Sequence, residues 1–383
     1  MKICFFTVDY PPMMGGIVEF SRSIAHYLSL SPEVEHVQVV APNNLIAGPE
    51  TVSDKLSVIR DDKKSFLKIA LMIARNAWRF RTYDVFHATS VFPCGFITVL
   101  VGKYLLRKPV FVTFYGTDLL STLGSKKTQW AKVWTIKHAT KAIAFSDSTR
   151  NEVANRHGLK VQNMEVVYYP LPDNPPAISA ETTQKIRAQY GIKTDDFVVL
   201  FVGHLVRRKG PEDLIRALSK IQDPKIKLLF VGDGPLRKEL KLQATSYKLQ
   251  ARIIFAGAQD AKSFYTIASV FSMPSFYFKE EGDIEGLGIV FLEAEQYGVP
   301  VLGTKSGGIP EALEDGGSGF LVPERDVEGL AEKIKILARD KELCRKMGER
   351  GRVFVREKFD WRKSVAGHLG LYKKELKNTK MAL

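Results

Sequence analysis

The sequence is poor in cysteine and has no long hydrophobic run. Its three cysteines, Cys4, Cys94 and Cys344, are far apart and odd in number, which argues against disulfides or a cysteine metal site and indicates a reducing compartment. The longest apolar runs, such as 198–202, have the length of a strand, whereas a membrane-crossing helix needs roughly 20 apolar residues. The first residues, MKICFFTVDYPP, predict a strand and not a signal peptide.

Acidic residues are also scarce. The chain has 42 Asp and Glu residues against 56 Lys and Arg residues, which gives a net charge of +14 at pH 7. An excess of this size favours an anionic partner: nucleic acid, an anionic membrane surface or a phosphorylated substrate. No recognisable nucleic-acid-binding module occurs, so we expect no nucleic-acid partner. No Asp-x-Asp motif follows a predicted strand, and we expect no metal site.

Both halves of the chain alternate predicted strands with helices. Four prolines within 170–176 predict a linker between the halves. The alternation predicts a doubly wound parallel α/β sheet in each half, and ligands bind at the carboxyl ends of the strands in such sheets. Strands are predicted at 2–8, 36–41, 84–88, 109–114, 141–145, 164–168, 197–202, 227–231, 252–256, 270–273, 299–303 and 319–322.

The stretch 285–311, EGLGIVFLEAEQYGVPVLGTKSGGIPE, combines two glycine loops with several carboxylates. The first loop, Gly286-Leu287-Gly288, precedes a helix predicted at 289–297. The second, Ser306-Gly307-Gly308, is expected to open another helix at Pro310. A glycine loop that leads into a helix presents backbone N–H groups and the positive end of a dipole, and this arrangement predicts a phosphate site.

Two glutamates lie beside the first loop, Glu285 before it and Glu293 inside the predicted helix. Both carboxylates would repel a phosphate, so neither is expected to touch one. A ligand with hydroxyl groups on either side of a diphosphate suits them. A nucleotide sugar, in which a diphosphate joins a sugar to a ribose, is such a ligand.

This stretch resembles the signature of retaining glycosyltransferases of family 4, in which two glutamates flank seven residues. The resemblance extends through EGLGIVFLEA and GVPVLGTKSGGIPE. It implies the GT-B fold, an α/β architecture of two Rossmann-like doubly wound domains that face a central cleft. It also implies an acceptor-side domain at 1–172, a nucleotide-sugar-binding domain at 173–360, and a C-terminal helix at 361–383 that crosses back to the first domain.

The resemblance places the donor mainly on the second half. It implies that Glu285 binds hydroxyls of the transferred sugar and that Glu293 accepts hydrogen bonds from the ribose. Gly15-Gly16 matches paired glycines that approach the donor diphosphate. Backbone groups of Gly286, Leu287 and Gly288 are expected to bind the sugar and the phosphate. Backbone groups of Gly257 and Ala258 are expected to bind the base.

A basic loop, GHLVRRKG at 203–210, resembles the G-R-L-x-x-x-K-G loop of the family. There an arginine and a lysine neutralise the diphosphate and stabilise it as a leaving group. Lys209 matches the lysine, whereas His204 stands where the family usually has arginine. The alternative for Lys209 is a solvated loop lysine. Together with the missing Asp-x-Asp motif, this loop indicates transfer without a metal ion.

A second loop, YGTD at 115–118, resembles the H-G-T-D loop of the family, with Tyr115 in place of the histidine. A tyrosine hydroxyl can donate a hydrogen bond, so we expect Tyr115 to orient the sugar and not to act as a general base; packing at a strand end is the alternative. Asp118 is expected to bind sugar or acceptor hydroxyls, with a solvated aspartate as the alternative. Glu280, Glu281 and Asp283 are interpreted as an acidic loop that lies beside the acceptor path.

Two basic segments, 63–81 and 126–141, contain no acidic residue and carry Trp78, Trp130 and Trp134. Basic helices with aromatic residues fit an anionic bilayer surface; the alternative is two amphipathic helices that build the core of the first domain. Their cations are Lys63, Lys64, Lys68, Arg75, Arg79, Arg81, Lys126, Lys127, Lys132, Lys137 and Lys141.

We therefore expect a cytoplasmic, retaining hexosyltransferase. Peripheral association with the inner face of the membrane is the alternative location. The resemblance implies that the enzyme needs no cofactor and moves a sugar from UDP or GDP to a glycan, lipid-linked or small-molecule acceptor. Two alternatives stay open: a GT-B epimerase or phosphorylase, and a nucleotide-sugar-binding protein with weak catalysis. Tyr115 and His204, which depart from the family pattern, favour the last.

Overall fold

A computed structural model describes residues 1–11, 13, 15–43, 50–62, 66–121, 124–278 and 281–382. Within these ranges the strands are β1 Lys2–Phe6, β2 His36–Asn43, β3 Glu50–Ser53, β4 Leu56–Asp62, β5 Val85–Ala88, β6 Val110–Thr113, β7 Lys141–Ala144, β8 Met164–Val166, β9 Phe197–Val202, β10 Ile226–Val231, β11 Ile253–Gly257, β12 Val270–Ser272, β13 Val301–Thr304 and β14 Gly319–Val322.

The helices of the same ranges are α1 Gly16–Ser29, α2 Phe66–Arg79, α3 Phe96–Thr98, α4 Thr117–Leu120, α5 Lys126–His138, α6 Asp147–His157, α7 Ala180–Gln189, α8 Pro211–Ser219, α9 Arg237–Ser246, α10 Lys262–Tyr265, α11 Ile289–Gln296, α12 Val327–Arg339, α13 Lys341–Lys358 and α14 Trp361–Ala382. None of them combines the length and the apolarity that crossing a bilayer requires.

The chain divides into two compact units. The first contains Met1–Leu171 and continues from Phe359 to the end of the chain, and the second is Pro172–Lys358. The backbone of Leu171 bonds to that of Phe359 and Trp361. Helix α14 therefore belongs to the first unit, where Trp361 stacks on Tyr27 of α1 with ring centroids 4.9 Å apart.

The sheet of the first unit has the strand order β3-β4-β2-β1-β5-β6-β7-β8. Its central strands are apolar runs with side chains buried on both faces, such as those of Phe5, Phe86 and Phe111, as expected for a parallel sheet covered by helices. Strand β1 lies between β2 and β5. The strand order reverses there, so the loops after β1 and β5 lie at the switch point where such sheets bind ligands.

The sheet of the second unit is fully parallel, with the order β11-β10-β9-β12-β13-β14. Strand β9 is its central strand: Leu200 pairs with Leu229 of β10 on one side and with Phe271 of β12 on the other. The switch point of this unit therefore lies at the loops that follow β9 and β12. The strands predicted in this half are confirmed, with bounds that differ from the predicted ones by at most two residues.

The parallel sheet predicted for the first half is confirmed except at its edge, where the unpredicted strand β3 runs antiparallel to β4. The alternation of strands and helices also predicts a helix at 95–106, and the structure has an irregular helix at 91–105, in which the π-helical stretches Val91–Gly95 and Val99–Leu105 flank α3. One expectation is wrong: no helix starts at Pro310, where a single 3₁₀ turn, Ile309–Glu311, is found.

Candidate active site

The loop after β9 carries the charged centre of the second unit. Gly210 ends this loop with a φ of +67°, and a Cβ atom there would lie 2.2 Å from the carbonyl oxygen of Pro274. Only glycine fits this close approach to the segment after β12. The turn fixes the two preceding side chains, Arg208 and Lys209, at the switch point.

Glu285 lies against both of these cations. The Lys209 ammonium and the Arg208 guanidinium donate to the same carboxylate oxygen, Oε2, the latter at 2.8 Å. The Nε of Arg208 also lies 2.6 Å from Oδ2 of Asp283. Two cations and two carboxylates thus form a compact cluster that is neutral as a whole.

The cluster is largely shielded from water. The side chains of Arg208, Lys209 and Glu285 are 17%, 13% and 11% exposed. Burial by itself raises the pKa of Glu285, but Lys209 and Arg208 outweigh it and bring that pKa to about 2. Burial lowers the pKa of Lys209 although Glu285 opposes the shift. Glu285 is therefore a carboxylate at neutral pH, held by charge.

The two glycine loops of 285–311 pack against each other. The N–H of Gly308 donates to the carbonyl oxygen of Glu285 at 3.0 Å. A Cβ atom on Gly308 would lie 2.0 Å from the carbonyl oxygen of Gly286. The second loop therefore supports the backbone of the first, and its Gly308 N–H is used for this contact and not left for a ligand.

The first loop leads into α11 as the sequence predicts. Gly288 caps this helix in the left-handed region with a φ of +80°, and the side chain of Leu287 is buried. Inside the helix, Glu293 accepts a hydrogen bond at 2.8 Å from the hydroxyl of the buried Tyr265. This bond orients the Glu293 carboxylate, and sequence reasoning did not anticipate it.

The other donor-site candidates of this unit are His204, Gly257 and Ala258. His204 is exposed at the start of the loop after β9. Gly257 ends the edge strand β11 and accepts from the N–H of Gly232, and Ala258 after it is exposed. Within the described part of the chain, none of these three residues forms a hydrogen bond or an ion pair with Glu285.

In the first unit, Tyr115 and Asp118 belong to one turn after β6. Oδ1 of Asp118 accepts from the backbone N–H of Tyr115 at 3.0 Å, and the Tyr115 hydroxyl donates to the carbonyl of Thr89 at 2.6 Å. The donor of Tyr115 is thus committed to the loop after β5. Burial raises the pKa of Asp118 to about 6, although the Tyr115 N–H and Lys132 oppose it.

Gly15 and Gly16 lie at the end of the loop after β1, which together with the loop after β5 forms the switch point of the first sheet. Gly15 caps α1 with a φ of +144°, and a Cβ atom there would meet nothing within 4 Å. Both glycines are exposed, so backbone at this position is accessible to a ligand. In the part of the chain that the structure describes, no group of three or more His, Cys, Asp or Glu side chains is arranged to hold a metal ion.

Comparison with known proteins agrees with this layout. A family model described as Glycosyltransferase Family 4 matches residues 15–173, and one described as Glycosyl transferases group 1 matches residues 182–354. A GDP-mannose-dependent alpha-(1-6)-phosphatidylinositol monomannoside mannosyltransferase of Mycolicibacterium smegmatis is 35% identical over 377 residues, which cover 93% of this chain and 94% of the relative. The chain belongs to the group 1, family 4 glycosyltransferases.

Other proteins are similar to this glycosyltransferase in sequence or in structure. The N-acetyl-alpha-D-glucosaminyl L-malate synthase of Bacillus anthracis is 29% identical over 82% of this chain and 80% of its own. The structure of Anabaena HepE in complex with UDP has a TM-score of 0.77 at 21% identity and covers 98% of this chain and 100% of that one. The sucrose-phosphate synthase of Thermosynechococcus elongatus has a TM-score of 0.79 at 21% identity, with coverages of 98% and 99%. The fold is GT-B.

Two charged residues of the glycosyltransferase were missed from the sequence. Arg208 is not singled out by the sequence pattern, and Asp283 is interpreted only as part of an acidic loop, whereas in the structure it pairs with Arg208 at 2.6 Å. Glu280 lies outside the described residues. The available signal was the run Arg207-Arg208-Lys209 in a loop after a strand, but the sequence does not show which cation faces inward.

Proposed function

We propose that this glycosyltransferase moves a hexose from a nucleoside-diphosphate sugar to a hydroxyl of a glycan, lipid-linked or small-molecule acceptor, with retention of configuration. The observation that carries the proposal is the pairing of Glu285 with Lys209 and Arg208 at the start of the Gly286–Gly288 loop. Two cations at a switch point supply the charge that a diphosphate leaving group needs. The GDP-mannose dependence of the mycobacterial relative supports a donor of this class.

Donor binding would rearrange the charged cluster. A diphosphate competes with the Glu285 carboxylate for the N–H donors of Lys209 and Arg208. Once the phosphate oxygens take these donors, Glu285 is free to accept hydrogen bonds from the sugar hydroxyls. Glu293, already oriented by Tyr265, is assigned to the ribose hydroxyls, and backbone N–H groups of Gly286, Leu287 and Gly288 to sugar and phosphate.

The transfer step then needs no group beyond these. The bond between the anomeric carbon and the phosphate oxygen breaks while the acceptor oxygen bonds to the same face of that carbon. The leaving phosphate takes the acceptor proton, and Lys209 and Arg208 stabilise its charge. On this route transfer proceeds without a metal ion, so activity in the presence of EDTA should equal activity without it.

A panel of nucleotide sugars tests the donor. A ligand that binds only the native state stabilises it by about 2.7 kcal/mol at 100 times its dissociation constant. GDP-mannose, UDP-glucose and UDP-N-acetylglucosamine are compared by thermal unfolding, with Lys209→Gln as the matched control that should lose the shift. Turnover without acceptor would instead favour an epimerase or phosphorylase. An anomeric configuration in the product opposite to that of the donor would exclude retention.

The first unit carries a surface that fits an anionic membrane. Helix α2 buries Met72, Ile73 and Ala77, so part of it belongs to the core, as the alternative reading expects. Its opposite face exposes Leu71 and Trp78, 58% and 54% accessible. We propose peripheral association with an anionic bilayer through this face. Its exposed cations are Lys68, Arg75, Arg79 and the following Arg81; Lys63 and Lys64 lie outside the described residues.

A further inference from the structure

A surface pocket of about 500 Å³ opens in the first unit between the irregular helix 91–105 and α5. Aromatic rings form its wall: the centroids of Phe92 and Phe96 are 6.1 Å apart, and those of Phe96 and Trp130 are 6.5 Å apart. Trp130 is 61% exposed although it lines the pocket. The remaining lining residues are Lys126, Lys127, Thr128 and Ala131.

The lining chemistry selects an amphiphile. Apart from the two lysines, the Thr128 hydroxyl and the indole N–H of Trp130 are the polar groups of the described lining side chains, which leaves too few partners for the many hydroxyls of a free sugar. Lys126 and Lys127 are exposed, and no acidic residue occurs between Asp118 and Asp147 to neutralise them. An apolar wall beside unneutralised ammonium groups complements a hydrocarbon chain with an anionic head.

The pocket lies next to the switch point of the first sheet. The Nε2 of Gln129 in α5 donates to the carbonyl of Ser121 at 2.8 Å, just after the turn that holds Tyr115. Phe92 lies only a few residues after Thr89 in the chain, and the carbonyl of Thr89 accepts a hydrogen bond from the Tyr115 hydroxyl. The pocket is therefore close to the carboxyl ends of β5 and β6, where a ligand of this unit is expected.

We infer that this pocket holds the hydrocarbon chain of a lipid-linked acceptor whose phosphate meets Lys126 and Lys127. This inference rests on the proposed glycosyl transfer and narrows its acceptor to one class. It differs from association of α2 with a bilayer surface, because a single amphiphile molecule in solution should fill the pocket. Affinity should rise with chain length, by up to about fourfold for each methylene buried.

Dodecyl phosphate below its micelle-forming concentration is the probe, titrated into the full chain by calorimetry and tryptophan fluorescence. We expect saturable binding and a blue shift of Trp130 emission as the chain covers the indole. Inorganic phosphate lacks the hydrocarbon chain, and dodecyl maltoside lacks the anionic head. Each should bind at least tenfold more weakly than dodecyl phosphate. Absence of saturation, or equal binding of the neutral maltoside, would overturn the inference.

Matched variants locate the site. Lys126→Glu/Lys127→Glu should weaken dodecyl phosphate binding at least tenfold, while Lys137→Glu, on the same helix but outside the pocket, should change it less than twofold. Trp130→Phe should abolish the blue shift and keep calorimetric binding within a few-fold. A shift that survives in Trp130→Phe, or an equal loss in Lys137→Glu, would place the chain elsewhere.

A separate readout guards the experiment against misfolding. The Lys126→Glu/Lys127→Glu protein should retain the thermal midpoint of the parent and its stabilisation by a nucleotide sugar. Donor stabilisation reports on the second unit and tests the proposed function, whereas dodecyl phosphate reports on the first. If no nucleotide sugar stabilises the parent, the proposed function fails whatever the amphiphile does; if only the amphiphile fails, the lipid-linked acceptor alone is withdrawn.

Discussion

The Lys209 ammonium donates directly to the Glu285 carboxylate, although 76 positions separate the two residues in the chain. One residue follows the central strand β9, and the other precedes the glycine loop of α11. The parallel sheet brings both to the same edge. The pair therefore joins the two stretches of sequence that resemble the family most closely, and it makes the charged cluster a direct target for substitution.

Replacing Glu285 with Gln should remove turnover and leave donor binding intact or tighter. The amide no longer occupies Lys209 and Arg208 with a negative charge, so the diphosphate meets less competition. The loss of sugar positioning should lower kcat by at least about 100-fold. Steady-state kinetics with KM and kcat resolved separately measure both effects.

The matched control for this change is Glu281→Gln, a substitution at an exposed acidic residue near the same loop. It should leave both constants within about twofold of the parent. Parent-like kcat in Glu285→Gln would show that this carboxylate does not position the sugar.

Replacing Arg208 with Gln should damage both stability and donor binding. Asp283 would lose its cation; breaking one side of a fully buried ion pair costs about 3–5 kcal/mol, and the loss should be smaller here because the Asp283 side chain is 26% exposed. Denaturant unfolding measures the loss, and the nucleotide-sugar dissociation constant should rise at least tenfold. Arg207→Gln, the exposed neighbour, serves as control; equal effects of the two substitutions would contradict an inward role for Arg208.

Replacing His204 with Arg tests whether this exposed position reaches the diphosphate. Guanidinium is charged at every working pH and offers five donors in a fixed plane. If the side chain at 204 reaches a phosphate oxygen, the nucleotide-sugar dissociation constant should fall severalfold. Titration calorimetry of both proteins gives the comparison. Identical affinities would leave Arg208 and Lys209 as the side-chain cations assigned to the diphosphate.

Removing four cations from the α2 surface should weaken binding to anionic vesicles. Each charge near such a membrane contributes roughly 1 kcal/mol, so the partition constant of the Gln variant should fall more than tenfold in co-sedimentation. The variant carries Gln at Lys68, Arg75, Arg79 and Arg81, and its control, of equal net charge, carries Gln at Lys185, Lys238, Lys248 and Lys346. A parent that stays in the supernatant, or a control that loses as much binding as the α2 variant, would contradict the membrane proposal.

Sequence patterns predicted the strands well where both faces of a strand are buried. The central strands are continuous apolar runs because both of their faces are covered, and β9 and β14 start and end where the sequence predicts. Strand β4, LSVIRDD, was missed because Leu56 and Val58 are the fully buried side chains among the described ones, 56–60. A half-exposed strand near a sheet edge looks like a polar loop.

The candidate site was predicted in part, and its failures have one cause. Glu285, Lys209 and the capping Gly288 could be placed because each belongs to a local pattern. The inward orientation of Arg208 and the commitment of the Tyr115 hydroxyl to the Thr89 carbonyl depend on partners distant in sequence. Spacing along the chain does not encode such contacts, which arise only when strands pair.

A buried histidine pair connects α14 to the first sheet. The hydroxyl of Tyr372 in α14 lies 2.6 Å from Nδ1 of His87 in β5, whose Nε2 lies 2.8 Å from the hydroxyl of Thr113. The ring of His368 lies 5.7 Å from that of His87. Burial lowers the pKa of His368 from its ordinary value of 6.5 to about 4, and burial and His368 together lower that of His87.

These depressed pKa values make the first unit sensitive to acid. A histidine with a lowered pKa contributes stability that is present above about pH 6.5 and is lost as pH falls toward 4, because the unfolded chain binds the proton first. For His368 the loss between pH 7 and pH 5 is about 2 kcal/mol, given 1.36 kcal/mol per pKa unit. His368→Phe removes this proton site, so its unfolding free energy should fall by about 2 kcal/mol less than that of the parent over the same interval.

Loss of the bond from Nδ1 to the carbonyl of Ser364 shifts the variant equally at both values of pH and leaves this difference unchanged. Denaturant unfolding of both proteins at pH 7 and pH 5 gives the four free energies, and equal losses in parent and variant would show that His368 does not make the fold acid-sensitive.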